Sequence, residues 1–263
     1  MASRIHTFEA IDNVRDYGDY DTAAGRRLCS GRLLRSAHHA RATDADLQKL
    51  VDLGVAVVVD LRHPSERVHQ PSRRHPAWAG MVIESDIQND ENGEPPHITF
   101  LKTTDLSDAS VTDYMTATYR RLPFEPRHLD LFSRYFQALA DTDGTVLIHC
   151  AAGKDRTGLL AALTHRVAGV AESDIVEDYL LTNTAVDMAA RAPAIAEQIE
   201  RNFGRKATPA AVQAFLGVRP EFLEAAFGEI EARYGSLDAY LEQALGLDPA
   251  ARDRVAMRLL GED

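Results

Sequence analysis

Two short strand-like runs, the apolar residues 55–59 and residues 145–149 with Val-Leu-Ile at their centre, limit what this chain can fold into. Both are rich in β-branched residues, too short for a helix, and apolar at consecutive positions rather than alternate ones. A strand of that kind must be covered on both faces, which happens in a parallel sheet with helices on either side. Each run follows an amphipathic stretch. Residues 43–53 place Leu47, Leu50, Val51 and Leu53 at helical spacing before Gly54, and residues 127–140 do the same with Leu129, Phe132, Phe136 and Leu139 before Gly144. A third helical stretch, 157–167, follows the second run and closes at Gly169. The alternation predicts an α/β fold, a central parallel sheet flanked by helices. Residues 32–36 and 81–83 read as further strands.

From residue 171 onward every periodic segment is helical. Thr208-Pro209, Ser236 and Asp248-Pro249 mark helix starts, and Gly217, Gly235 and Gly246 mark helix ends. Residues 171–263 are therefore expected to form a C-terminal helical layer on the α/β core, with no linker between them. Residues 84–113 carry Glu84, Asp86, Asp90, Glu91, Glu94, Asp105, Asp108 and Asp113 against a single Lys102. That composition predicts a segment that buries little, a mobile flap or lid-like insertion.

A net charge of −11 over 263 residues argues against a nucleic-acid partner, because phosphate-backbone affinity rests on clustered Lys and Arg. An acidic chain can still take an anionic substrate if its positive charge is concentrated at one place. Cys29 and Cys150 are too few for a disulfide framework. The first twenty residues lack the apolar core of a signal peptide, and no run approaches the length of a membrane span. These features predict a cytoplasmic protein, or one exported without a cleaved signal, with no integral membrane segment.

The strand at 145–149 opens into His149-Cys-Ala-Ala-Gly-Lys-Asp-Arg-Thr157. A tight loop entering a helix N-terminus turns successive N–H groups inward and builds an anion nest. Ala151, Ala152 and Gly153 are small enough to let the backbone approach an anion closely. Arg156 adds a planar fork for two phosphate oxygens, and Lys154 adds a cation suited to substrates with extra phosphates. The same field favours the thiolate of Cys150, placed for in-line attack on a phosphate monoester. Thr157 is positioned to donate its hydroxyl to that sulfur. Neither cofactor nor metal is called for, and the ten histidines show no metal-ligand spacing. Cys29 reads as packing, His38-His39 as surface, and His149 as a hydrogen-bonding support behind the loop.

His149–Gly158 resembles the phosphate loop of the cysteine phosphatase superfamily, and its Lys-Asp pair resembles the actinobacterial PtpB-like tyrosine and phosphoinositide phosphatases. The similarity extends to residues 13–17, 60–62, Tyr114-Met115, Tyr119-Arg120, 216–219 and 234–237. It implies one phosphatase domain over 1–263, acting on phosphotyrosine and, to varying extents, phosphoserine, phosphothreonine and phosphoinositides. It also implies a role for Asp155, as general acid or as the partner orienting Lys154. Two other carboxylates compete for the acid role. Asp60 ends the first β run, at the sheet edge where Cys150 lies. Asp86 follows the strand at 81–83, where many relatives carry their acid. Alternative readings are a phosphoinositide-specific lipid phosphatase and a non-catalytic phospho-binding pseudophosphatase. Intact Cys150, Arg156 and Thr157 argue against the latter. A rhodanese-like sulfurtransferase fits Gly153 and Arg156-Thr157 less well.

Overall fold

In the computed structural model of the chain, which describes residues 4–88, 96–185 and 188–260, the run at 145–149 becomes the middle of a five-stranded sheet. The strands are β1 (Arg15–Asp16), β2 (Leu33–Ser36), β3 (Val55–Asp60), β4 (Met81–Ile83) and β5 (Thr145–His149), in the order β1-β2-β5-β3-β4. β2, β5, β3 and β4 run parallel, as the doubly apolar runs require. β1 pairs antiparallel on the edge, Arg15 opposite Arg35. The sheet is thus mostly rather than wholly parallel. This two-residue strand lies in a Gly-, Asp- and Arg-rich stretch and carries no apolar run to reveal it.

Alternation along the strands sorts the core into two faces. Leu33, Val57, Val59, Val146 and Ile148 enter the larger cluster, while Leu34, Val58 and Leu147 point the other way. Val55 joins Val58 on the smaller face because the β3–β5 register shifts between Val55 and Val57. Helix α1 (Asp44–Asp52) covers the smaller face with Leu47 and Leu50. Helix α2 (Pro64–His69) follows β3 at its C-terminal end.

Helices α3 (Pro96–Thr103) and α4 (Asp108–Arg121) pack mainly on the C-terminal helices, and the larger face of the sheet is covered by α5 (Pro126–Asp141) and α6 (Asp155–Ala168). Behind them lie α7 (Glu172–Leu180), α8 (Thr182–Ala185), α9 (Met188–Phe203), α10 (Pro209–Leu216), α11 (Pro220–Tyr234), α12 (Leu237–Gln243) and α13 (Pro249–Leu259), the expected helical layer. Its caps fall where the sequence places them. Thr208, Ser236 and Asp248 side chains accept from the N–H three residues on, and Gly235 ends α11 in the left-handed region. Gly217 ends α10 in extended backbone instead.

The expectation that 84–113 buries little fails for 96–113. α3, the turn after it and α4 bury Phe100, Leu101, Leu106 and Val111. Acidic residues dominate the count there, but four apolar residues on one side suffice to seat the segment. Asp90, Glu91 and Glu94 lie outside the described residues. Among the described residues no helix is long and apolar enough to cross a membrane.

Candidate active site

β5 delivers Cys150 at the C-terminal edge of the sheet, and α6 begins five residues later at Asp155. The carbonyls of the intervening loop all bond outward. Ala151 O accepts from His38 N (3.1 Å), Ala152 O from Asn13 Nδ2 (3.2 Å), and Gly153 O from Asn13 Nδ2 (2.9 Å) and Arg35 Nη2 (3.2 Å). Cys150 O lies 3.2 Å from His149 Nδ1. A planar trans peptide points its N–H opposite its C=O, so fixing the carbonyls outward turns the N–H groups inward. Gly153 is required twice over: its φ is +67°, and a Cβ there would sit 2.3 Å from Ser36 O. Cys150 is 2% exposed.

Arg156, the second residue of α6, is gripped end-on by Glu66 of α2. Nη1 donates to Oε2 at 2.6 Å and Nη2 to Oε1 at 2.9 Å. Nη1 also reaches Leu61 O at 3.3 Å. The Nε–Nη2 edge of the guanidinium is left for an anion. Glu66 is itself seated by the α2 capping box, Oε2 accepting from His63 N at 2.7 Å. Burial would raise the Glu66 carboxyl, but the charge and hydrogen bonds of Arg156 bring it down to about 2. Burial would lower Arg156, yet Glu66, Cys150 and Asp155 raise it above its ordinary range.

Behind the loop, Asp60 is 1% exposed and held by Arg62 through Nε at 2.9 Å and Nη2 at 2.6 Å. His149 Nε2 lies 3.6 Å from Asp60 Oδ2. Burial pushes the Asp60 carboxyl up, but His149, charged only in the acid range where Asp60 would take its proton, and Arg62 outweigh it, and Asp60 stays well below the carboxylate range. Burial lowers His149 to about 4, so the ring is neutral. His39 stacks on His149 with centroids 4.5 Å apart and is fully buried, which corrects the expectation of a surface pair. Arg74 donates to His39 Nδ1 (3.1 Å), so Nε2 carries the proton and donates to Ser36 Oγ (3.0 Å).

Lys154 is buried rather than solvated. Its ammonium donates to Phe215 O at the end of α10 and lies 5.6 Å over the Phe215 ring. Asp155 stands 3.6 Å from Lys154 Nζ and accepts from Tyr119 Oη at 3.0 Å. Asp86 is 88% exposed and ion-paired with Arg67. Thr157 is buried, and its hydroxyl makes no hydrogen bond among the described residues, Cys150 Sγ included. Further down, Asp178 of α7 joins Arg35 (2.7 Å) and Arg15 (3.3 Å), all three fully buried. Arg15 also donates to Asn13 Oδ1 and Thr182 Oγ1. Two guanidiniums share one carboxylate there. Asp178 is brought down to about 2 by Arg15 and Arg35 against its burial, while burial and Arg35 push Arg15 down to about 10.

A buried cysteine at the start of a loop whose carbonyls all bond outward, followed by an arginine with one guanidinium edge free, suits cysteine-based phosphate chemistry. Comparison with known proteins agrees: the model of a tyrosine phosphatase family matches residues 6–261. The chain belongs to this tyrosine phosphatase family. A protein of Cupriavidus necator is 34% identical over 92% of this chain and 85% of its own length. The triple specificity protein phosphatase PtpB of Mycobacterium tuberculosis is 34% identical over 95% of this chain and 96% of its own. A tyrosine-protein phosphatase of Nostoc commune is 32% identical over 57% of this chain and 47% of its own.

The phosphatase loop thus gathers Cys150, Ala151, Ala152, Gly153 and Arg156 as expected, places Asp155 at the helix start, and turns Lys154 toward α10. Sequence reasoning missed Glu66, Arg35 and Asp178, and it met Asn13 and Tyr119 only within the resemblance, without a role for either. Glu66 left one signal, a Glu at the third helical position after the strand that ends in Asp60. The others are tertiary partners, as far as 163 residues apart, with no local pattern to mark them.

Proposed function

We propose that the chain hydrolyses phosphotyrosine, and through the same loop phosphoserine, phosphothreonine and phosphoinositides, by way of a phosphocysteine. The single observation that carries this is the outward bonding of every carbonyl from Cys150 to Gly153, which leaves the loop interior to an anion. Breadth rests on Lys154 and on the triple specificity for which the mycobacterial relative is named.

The thiolate of Cys150 attacks phosphorus in line. An S–P bond forms as the bond from phosphorus to the leaving oxygen breaks, and a carboxylic acid protonates that oxygen. The loop N–H groups and the free edge of Arg156 take the equatorial oxygens. Water then attacks phosphorus, its proton goes to the same carboxylate, the S–P bond breaks and inorganic phosphate leaves. The Thr157 hydroxyl, unpartnered among the described residues, is available to turn to the departing sulfur. Asp155 is the acid. Asp60 acts as an anchor, since a carboxylate locked ionised by Arg62 has no proton to give. A reactive thiol of this kind works in a reducing compartment.

Phosphotyrosine peptide, phosphothreonine peptide and a phosphoinositide, assayed at equal enzyme concentration, test the reading. Turnover of the tyrosine peptide is expected. Turnover of the lipid alone would make this a lipid phosphatase, and tight binding with no turnover of any substrate a phospho-binding module.

A further inference from the structure

Tyr119 and Tyr179 are fully buried, yet their hydroxyls form a directed chain ending at the catalytic loop. Tyr179 Oη donates to Tyr119 Oη at 2.6 Å, and Tyr119 Oη donates to Asp155 Oδ1 at 3.0 Å. Tyr119 comes from α4 and Tyr179 from α7, so two helices outside the sheet converge on the first residue of α6. Burying two hydroxyls in an apolar layer is costly unless each is satisfied, and here each is. Burial first, and the Asp155 charge second for both rings, push them well above the ordinary tyrosine range, so both remain neutral donors.

We infer that Tyr119, backed by Tyr179, is a positioning residue for Asp155: it fixes Oδ1, stabilises the carboxylate left after proton transfer, and leaves Oδ2 to carry the proton. This rests on Asp155 being the general acid. The other oxygen, Oδ2, faces the Lys154 ammonium at 3.6 Å, and that ammonium is held aside by Phe215 O. A carboxyl at a half-buried helix start would otherwise rotate or close on Lys154. The charged and titratable groups facing this carboxyl are Lys154 just before α6, Arg156 on α6, Tyr119 on α4 and Tyr179 on α7, and Tyr179 in turn feels Arg35 of β2 and Glu221 of α11.

The test measures kcat/KM against pH for an alkyl and an activated aryl phosphate, in wild type, Tyr119→Phe, Tyr119→Phe/Tyr179→Phe, Asp155→Asn and Asp155→Asn/Tyr119→Phe. Tyr119→Phe strands the Tyr179 hydroxyl, and the double Phe variant removes both oxygens at once, which guards against misfolding. Losing a hydrogen bond to a charged group is expected to slow the alkyl substrate about tenfold to a hundredfold. The aryl substrate, whose leaving group departs without a proton, stays nearly unchanged. The basic limb moves to higher pH, because the ionised carboxyl has lost a donor. Tyr119→Phe adds nothing in the Asp155→Asn background. If Tyr119→Phe slows both substrates alike with the basic limb unmoved, while Asp155→Asn keeps its leaving-group dependence, the tyrosine is only packing and the inference is overturned. If Asp155→Asn itself shows no leaving-group dependence, the acid assignment has failed and the inference falls with it.

Discussion

Replacing Asp178 by Asn keeps the shape of the side chain and removes the charge that two buried guanidiniums share. Arg15 and Arg35 have no route to water, and Asp178 is 1% exposed. Removing one partner of such a buried ion pair costs about 3–5 kcal/mol, because the remaining charge is left uncompensated. The carboxyl itself gives a smaller independent figure. Held at about 2 against an ordinary 3.8, it contributes about 2–2.5 kcal/mol of pH-dependent stability. Protonating the acid keeps a polar group in place, so this figure should fall below the cost of the substitution, and it does. For a chain of this size each kcal/mol lowers Tm by about 2–4 °C, so Asp178→Asn should melt about 6–20 °C lower. The folded-state value is depressed, so this stability is present above pH 3.8 and lost as pH falls toward 2. Wild type should therefore lose stability over that window, and the variant should show a flatter acid response. Thermal unfolding followed by circular dichroism between pH 2 and 7 measures both. A drop in Tm of less than about 2 °C, or an unchanged acid response, would refute the reasoning.

Three further outcomes follow from the same geometry. Gly153→Ala should remove most activity and destabilise the fold, since the added methyl meets Ser36 backbone at 2.3 Å in left-handed conformation; near-normal phosphate inhibition and turnover would show that the loop can shift. Arg156→Lys should be nearly as damaging to kcat/KM as Arg156→Ala, because lysine cannot keep Glu66 and two phosphate oxygens at once; a Lys variant close to wild type would mean that charge alone suffices. Activity should survive EDTA, fall with peroxide and return on thiol treatment when oxidation stops at the sulfenic stage; loss on chelation would contradict the chemistry proposed for Cys150.

The parts of this fold that are legible in sequence are those whose cause is local. Residues 145–157 announce themselves because strand, loop and helix are consecutive, and each residue type answers to its immediate neighbours. The caps at Thr208, Ser236 and Asp248 are local for the same reason. The position of Asp60 at the end of its strand is legible, but its role depends on Arg62 and His149, whose contacts only the folded backbone decides. His39 resembled a surface residue because nothing nearby in sequence predicts the ring of His149 lying flat against it. Residues 96–113 misled through composition. A count of charges ignores spacing, and Phe100, Leu101, Leu106 and Val111 were enough to hold two helices on the core. Glu66 was overlooked because its work is done on Arg156, which is 90 residues away.

The claim at the centre of this account is that phosphate passes through a covalent bond to Cys150, and trapping that bond tests it most directly. Enzyme mixed with phosphotyrosine peptide, quenched in acid during turnover and digested, should yield a phosphorylated peptide containing Cys150 by mass spectrometry. Cys150→Ser should give neither the adduct nor turnover while still binding the peptide, because serine is not ionised at neutral pH and the loop and Arg156 remain. Turnover by purified Cys150→Ser, or a wild-type adduct mapped to any other residue, would contradict the mechanism.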